Sequence, residues 1–504
     1  MSDNKSVFYS KKLFIFNIAL VSMIVGFALS LLMVYACSNE REARISNAYA
    51  QDYNEVEKGY EALENIQYSF RNVANVALPV VVEINVVEVV QRSAPGPNSP
   101  WDFFFTPPEG GGEAPEFRRP GLGSGVIVEH KDNMVYVMTN NHVVGNASEI
   151  SVLLHDGRNY DAKIVAKDER TDLALISFET RDDIPVASLG DSDSVYVGDW
   201  AIAVGNPFGF ESTLTVGVVS ALGRSAVRGS SISSYNEYIQ TDADINPGNS
   251  GGALLNIRGE VIGINTWIAS ETGVSSGIGF AIPINNVKKV MNDFISKGRV
   301  EYGWLGVGID DPETQIFPGV ARDLKIEGKD GALVVSVFKN SPADRHGILP
   351  GDYIIRVDGH DVKNANQLTR IVGGLPPNKS FEFVVIRYGQ EKRIPVTLAV
   401  REAEDKVRSN TQVWPGFNVV GLTDDLRKRL EVPASVSGVL ASGVTPGTPA
   451  ETAGLKMGDI IMQVNNRRIG SVMDFYRNLN DKGKNEVIFR VWRDSKEIVL
   501  GIVR

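Results

Sequence analysis

One cysteine, Cys37, in 504 residues excludes a disulfide within the chain and any zinc module built on clustered thiolates. Five histidines leave little material for a metal centre, and no metal or organic cofactor is expected. There is no concentrated Lys/Arg run and the net charge is −10, so the basic patch that phosphate binding requires is missing and nucleic acid is not an expected partner. Without cross-links or metals, the fold must rest on its apolar cores, and the 43% hydrophobic content is ample for that. The length is too great for one core, and three domains is the prior.

Long apolar runs are equally scarce: there is one, from Leu13 to Ala36. It carries no charge, and Lys5, Lys11 and Lys12 precede it. At ~1.5 Å per residue it is long enough for a hydrocarbon core of about 30 Å, whereas a cleaved signal peptide has an apolar region of only about 7–15 residues. The expectation is a single-pass anchor over 13–36, with 1–12 as a cytoplasmic tail and the remainder on the far side. Cys37, directly after Ala36, leaves a lipid-modified N-terminus as the alternative. Residues 37–64 are polar and helix-compatible, and read as a spacer.

What the chain has in quantity is short β-branched runs and glycine. From Val73 the texture of VANVALPVVVEINVVEVV is strand-like, and GVIVE, MVYVMT, ISVLL, AKIVA, LALISF, WAIAVG, GVVSAL and VIGINT follow between glycine-rich turns. That pattern predicts an all-β sandwich or barrel over 65–290. Gln91 to Pro120 interrupts it, rich in Pro and Gly but carrying the aromatic cluster Trp101 to Phe105. Further on, Ser341 to Gly359 (SPADRHGILPGDYIIRVDG) is echoed by Thr448 to Asn466 (TPAETAGLKMGDIIMQVNN) at a constant offset of 107 residues. Two copies of one domain, over 300–400 and 414–504, therefore follow the β region.

Ser250 stands in TDADINPGNSGGALL, between Asn249 and two glycines. A serine attacks a carbonyl only if a base takes its proton, and a histidine base needs a carboxylate on its other nitrogen to fix the tautomer. His142, in MTNNHVVGN, follows a strand, and Asp172, in ERTDLALISF, precedes one. On an all-β background the order His142, Asp172, Ser250 is a nucleophilic triad. The sequence from Gly248 to Gly252 also satisfies the nucleophile-elbow pattern of α/β-hydrolases. That fold needs a histidine after the serine and alternating strands and helices around it; only His346 and His360 follow, both inside the first repeat.

TNNHVV, TDLALI and DINPGNSGGAL, with GNPFGFESTLTVGVVSALGRS and GINTWIASETGVSSGIGFAIP, resemble the HtrA/Deg family of trypsin-like serine proteases followed by two PDZ domains. The likeness runs from about Ser69 to the C-terminus. It implies a mainly β fold: two β-barrels, His142 and Asp172 on the first and Ser250 on the second, then two α+β PDZ domains. The backbone amides of Gly248, Asn249 and Ser250 would face the developing oxyanion. The resemblance also implies a P1 pocket lined by Ile245 and Ile268, hence cleavage after small or medium aliphatic residues. Arg224, in SALGRS, would relay regulatory contacts.

By the same resemblance the first PDZ domain would hold a peptide C-terminus on a nest of amides over Tyr302, Gly303, Trp304, Leu305, Gly306 and Val307. Tyr302 stands where family members commonly have a basic residue. The second nest would lie around Gly416 to Val419. The expected activity is ATP-independent proteolysis of misfolded proteins on the periplasmic side of the inner membrane, by a homotrimer. A holdase that binds exposed C-termini, with cleavage secondary, is the alternative.

Overall fold

The computed structural model describes residues 4–90, 117–206, 213–224, 235–246, 248–268, 277–311, 319–402, 406–407, 410–481 and 486–503. Most of the Gln91 to Pro120 insertion, its aromatic cluster included, and Pro247 lie outside them. The chain divides into two compact units, Met1–Val76 with Ile257–Gly259, and Ala77–Asn256 with Glu260–Arg504.

The first unit is dominated by one helix, α1 (Asn4–Ala77). Its segment Phe16–Ser38 has a mean hydropathy of 2.4 and buries none of its apolar side chains, so it is long and apolar enough to cross a membrane. Val73 to Ala77, expected as the start of a strand, are instead the end of this helix. Alanines interleave with the valines there, and Pro79, in the turn Leu78–Val80, stops the helix.

In the second unit thirteen strands among the described residues build the protease half. β1 (Val81–Val90), β2 (Phe117–Lys131), β3 (Met134–Asn140), β4 (Glu149–Leu153), β5 (Asn159–Asp161), β6 (Lys163–Asp168) and β7 (Leu173–Glu179) form one antiparallel sheet in the order β5-β4-β1-β2-β3-β7-β6. The two edge strands are consecutive in the chain, so the sheet must curl until its edges nearly meet at Ala162. Alternate residues of β1 and β3, such as Val82, Ile84, Val135 and Val137, point into the core this curl encloses.

β8 (Trp200–Gly205), β9 (Thr213–Arg224), β10 (Tyr238–Thr241), β11 (Ala253–Leu255), β12 (Val261–Ile268) and β13 (Gly279–Pro283) close into a barrel, β10-β13-β12-β11-β8-β9. Helix α3 (Ile284–Lys297) follows; it buries Ile284, Val287, Val290 and Phe294 along one face and ends on Gly298 in the left-handed conformation. A short helix, α2 (Asn141–Val144), interrupts the first sheet directly after β3.

The two repeats each form an antiparallel sheet with a helix against it. In the first, β14 (Gly303–Trp304) pairs with a return strand (Ala399–Val400). β15 (Val307–Asp310) edges the main sheet, next to Ala332–Phe338, opposite helix α5 (Ala365–Gly374). In the second, β16 (Phe417–Gly421) and helix α6 (Val472–Leu479) hold the corresponding places. A short helix of the first repeat, α4 (Val320–Leu324), lies against both of these. Val320 and Leu324 share one core with Phe417, Val419, Phe475 and Tyr476.

Candidate active site

The loop between β6 and β7 places Asp172 with φ 55°, a left-handed conformation that a non-glycine residue adopts only under local constraint. The constraint is visible. The Asp172 carbonyl accepts from the Asn141 amide at 3.0 Å and from Asn140 Nδ2 at 3.0 Å. Its Oδ1 accepts from the His142 backbone N–H at 3.0 Å, and Oδ2 lies 2.7 Å from His142 Nδ1. A carboxylate offers only acceptors, so Nδ1 carries the proton and Nε2 is left as the basic nitrogen. His142 thus sits on the short helix α2, directly after β3.

From the closed barrel, Thr266 on β12 joins the other two groups. Its hydroxyl donates to Asp172 Oδ2 at 2.9 Å, and its carbonyl accepts from Ser250 Oγ at 3.2 Å. The acid, the imidazole and the serine therefore meet through one threonine at the seam between the two halves.

The loop carrying Ser250 is pinned mainly by its backbone. Gly248 has φ 96° and Gly251 φ 85°, and a Cβ on Gly251 would meet the Ser124 carbonyl at 2.1 Å. Ser124, on β2 of the other half and fully buried, bonds this loop at two carbonyls and ties it to the segment after β8. Its amide donates to the Ser250 carbonyl at 2.9 Å, its Oγ donates to the Gly248 carbonyl at 2.5 Å, and that Oγ accepts from the Asn206 amide at 2.8 Å. Thr139 Oγ1 donates to the Ser124 carbonyl at 2.7 Å. Fixing the Gly248 and Ser250 carbonyls orients the peptide planes of this loop. The Asn249 amide donates to the Asn246 carbonyl at 3.0 Å, so the expectation that it faces an oxyanion is corrected.

Ile245 is buried in the core of the closed barrel, and Ile268 packs against that core. Trp267, adjacent to Ile268, stacks instead on Phe280 at 3.9 Å between ring centroids and meets the edge of Tyr238. Arg224 ends β9, exposed, opposite Tyr238 in the ladder. The residues that follow it lie outside those described.

In the first repeat a groove runs between β15 and α5, lined by the stretch from Gly303 to Val307 and by Leu368 and Val372. Tyr302 does not line it, which corrects the expectation. Its ring turns toward the protease half, and its hydroxyl donates to Asp168 Oδ2 at 2.5 Å. Two basic residues that sequence reasoning missed, Arg170 and Arg401, line the groove in its place.

At the nest expected in the second repeat the described residues are packed. Phe417 and Val419 are buried, α4 packs against β16 and α6, and Asp323 Oδ2 accepts from the Val472 amide at 3.0 Å. Ser124 and Thr266 were missed as well. Their roles lie in contacts with atoms far along the chain, for which no local motif exists.

Two β halves with this seam, followed by tandem domains of one repeat, define a trypsin-like serine peptidase with two PDZ domains. A trypsin-like peptidase domain family matches residues 123–264, and PDZ domain families match 303–398 and 440–493. The chain is 37% identical over 445 residues to a probable periplasmic serine endoprotease DegP-like of Chlamydia pneumoniae, covering 85% of this chain and 88% of the relative. It is 37% identical over 392 residues to the periplasmic serine endoprotease DegP of Escherichia coli K12, covering 78% of each. Among solved structures, the HtrA-type protease AlgW with a decapeptide is 36% identical, with TM-score 0.54, covering 66% of this chain and 99% of that one. The chain belongs to the HtrA/Deg family of serine endoproteases.

Proposed function

We propose that Ser250 is the nucleophile of an endopeptidase acting on unfolded envelope proteins, with His142 as base and Asp172 as its orienting acid. The observation that carries the reading is Asp172 Oδ2, shared between His142 Nδ1 and the hydroxyl of Thr266, whose carbonyl holds Ser250. In the reaction Ser250 Oγ turns from the Thr266 carbonyl and bonds to the scissile carbonyl carbon, and its proton passes to His142 Nε2. The oxyanion is held by the Gly248 and Ser250 amides. The C–N bond then breaks as the amine takes the proton from His142. Water repeats the sequence on the acyl-enzyme, freeing the acid and restoring Ser250.

Ile245 and Ile268 make the P1 site apolar, so cleavage follows Val, Ile or Ala. A peptide-library profile led by Lys or Arg at P1 overturns that assignment. Casein digestion by purified Ser250→Ala protein tests the whole reading. Loss of a catalytic serine costs about 10⁶ in kcat in a comparable enzyme, and undiminished digestion would remove Ser250 from the chemistry.

The groove between β15 and α5 receives peptide C-termini: the amides of Gly303 to Val307 meet the carboxylate, and Leu368 and Val372 meet the last side chain. The structural relative with a decapeptide supports peptide binding by such proteases. Arg224 relays groove occupancy or subunit contacts to the Ser250 loop. Phe16–Ser38 anchors the chain in the inner membrane, with Lys5, Lys11 and Lys12 cytoplasmic and the catalytic domains periplasmic, where the named relatives reside. The working assembly is a homotrimer, as the family resemblance implies. Intact-mass analysis distinguishes an uncleaved N-terminus from one lipidated at Cys37.

A further inference from the structure

The groove of the first PDZ domain borrows part of its lining from the protease half. Arg170 belongs to the loop between β6 and β7, two residues before Asp172, yet it lines the groove beside Gly303 to Val307. Its guanidinium lies over the ring of Tyr235 at 4.5 Å from the centroid and over that of Tyr302 at 4.6 Å. The two rings meet edge to face at 5.2 Å, so they form a fixed cradle for the planar cation. Arg401, whose amide donates to the Tyr302 carbonyl at 2.9 Å, brings a second guanidinium to the same groove.

Two half-buried cations lining one groove create a field that suits an anion, and burial together with Arg401 disfavours the charge on Arg170. Asp168 offsets part of this field, but its Oδ2 already accepts from Tyr302 and from the amide and hydroxyl of Thr171.

We propose that Arg170, a residue of the protease half, recognises the terminal carboxylate of a peptide bound in the first PDZ groove, so that the site is complete only when both domains are docked. The inference rests on reading that groove as a receptor for peptide C-termini. It explains how Tyr302 can stand where a basic residue is common in the family: the cation comes from across the domain boundary, and Tyr302 helps to hold it.

The consequence reaches the triad. Asp168 Oδ2 bonds Tyr302 on one side and Thr171 on the other, and the Thr171 carbonyl accepts from Asn236 Nδ2 at 2.8 Å. The segment from Asp168 to Asp172 is thus one bracket with the groove at one end and the orienting acid at the other. A carboxylate that engages Arg170 acts on this bracket directly.

The test uses the whole chain carrying Ser250→Ala, purified in detergent, and a fluorescein-labelled decapeptide ending in valine. Binding is read by anisotropy for the free acid and for the C-terminal amide. The parent binds the acid about tenfold or more tighter than the amide, as a charge-assisted contact requires. Arg170→Gln loses most of that preference while its amide affinity stays as it was. Arg170→Lys, which keeps the charge but not the stacking, retains an intermediate preference. Arg393→Gln, at an exposed pair with Glu382, leaves both affinities unchanged.

An undiminished acid preference in Arg170→Gln overturns the role of Arg170 and leaves the groove reading standing. Equal weakening of acid and amide makes Arg170 a support for groove shape alone, and also overturns it. A parent that binds neither peptide, or both alike, sinks the groove reading itself. Should Arg170→Gln shift the thermal transition of the protein, Arg170→Lys carries the comparison: no loss of preference in that variant and none in Arg401→Gln overturns the proposal.

Discussion

Ser124 shows how much of this site depends on a residue without a reactive role. Its hydroxyl donates to the Gly248 carbonyl and accepts from the Asn206 amide, while its own amide holds the Ser250 carbonyl. Ser124→Ala keeps the last bond and loses the first two, leaving a buried amide and a buried carbonyl unpaired. The expected stability cost is about 1–3 kcal/mol. Because the Gly248 and Ser250 carbonyls hold the turn that presents the proposed oxyanion donors, kcat falls roughly 10- to 100-fold with KM little changed, part of the 10²–10³ that removal of a donor costs. Steady-state kinetics on an aliphatic chromogenic peptide checks this, and an unchanged kcat would separate Ser124 from catalysis. The proposed triad could be read from the sequence because its nucleophile, base and acid each lie in a local context that advertises them. Ser124 could not, since its partners in the Ser250 loop are backbone carbonyls lying 124 and 126 residues away (248 − 124 and 250 − 124).

At the scale of elements, the repeat seen in the sequence returns as a repeated ion pair. Asp352 binds Arg387 through Nε and a second nitrogen, both at 2.6 Å, and Arg387 also donates to the Gly347 carbonyl at 2.7 Å. Asp459, Arg493 and Gly454 reproduce the same distances in the second copy. The Gly-Asp of each repeat was visible as a conserved spacing within the chain; the arginine was not, because it lies on a distant strand. Asp352→Ala strands a largely buried guanidinium and should cost about 3–5 kcal/mol in the first PDZ domain, read by denaturant unfolding. A cost below 1 kcal/mol would show that Arg387 finds water or another acceptor. The different fates of the two PDZ grooves were beyond the sequence, since α4 of the first domain enters the second only through tertiary packing.

On the scale of the second unit, protease and first PDZ domain are joined by a polar seam. Asp168 meets Tyr302, Arg370 pairs with Glu237, and Arg170 lies between Tyr235 and Tyr302. Burial pushes the Tyr235 phenol up to about 12, against a smaller opposing effect of Arg170, with Asp168 and Arg370 also facing it. Burial raises Tyr302 too, reinforced by Asp168. A phenol held neutral in the folded chain but ionised in the unfolded one leaves stability intact below about pH 10 and lowers it as pH climbs toward 12. The thermal midpoint should therefore drop across that window, and Tyr235→Phe, with no proton to lose, should flatten the drop. An identical profile in the variant would place the alkaline sensitivity elsewhere.

The oxygen of Asp168 that accepts from both Tyr302 and Thr171 has one more implication, for engineering. A chimera that receives a foreign first PDZ module brings no guarantee of a phenol to meet that carboxylate, so transplantation must carry residues 168–172 along with the graft. Modularity in this chain stops short of the seam: the unit of exchange is larger than the domain.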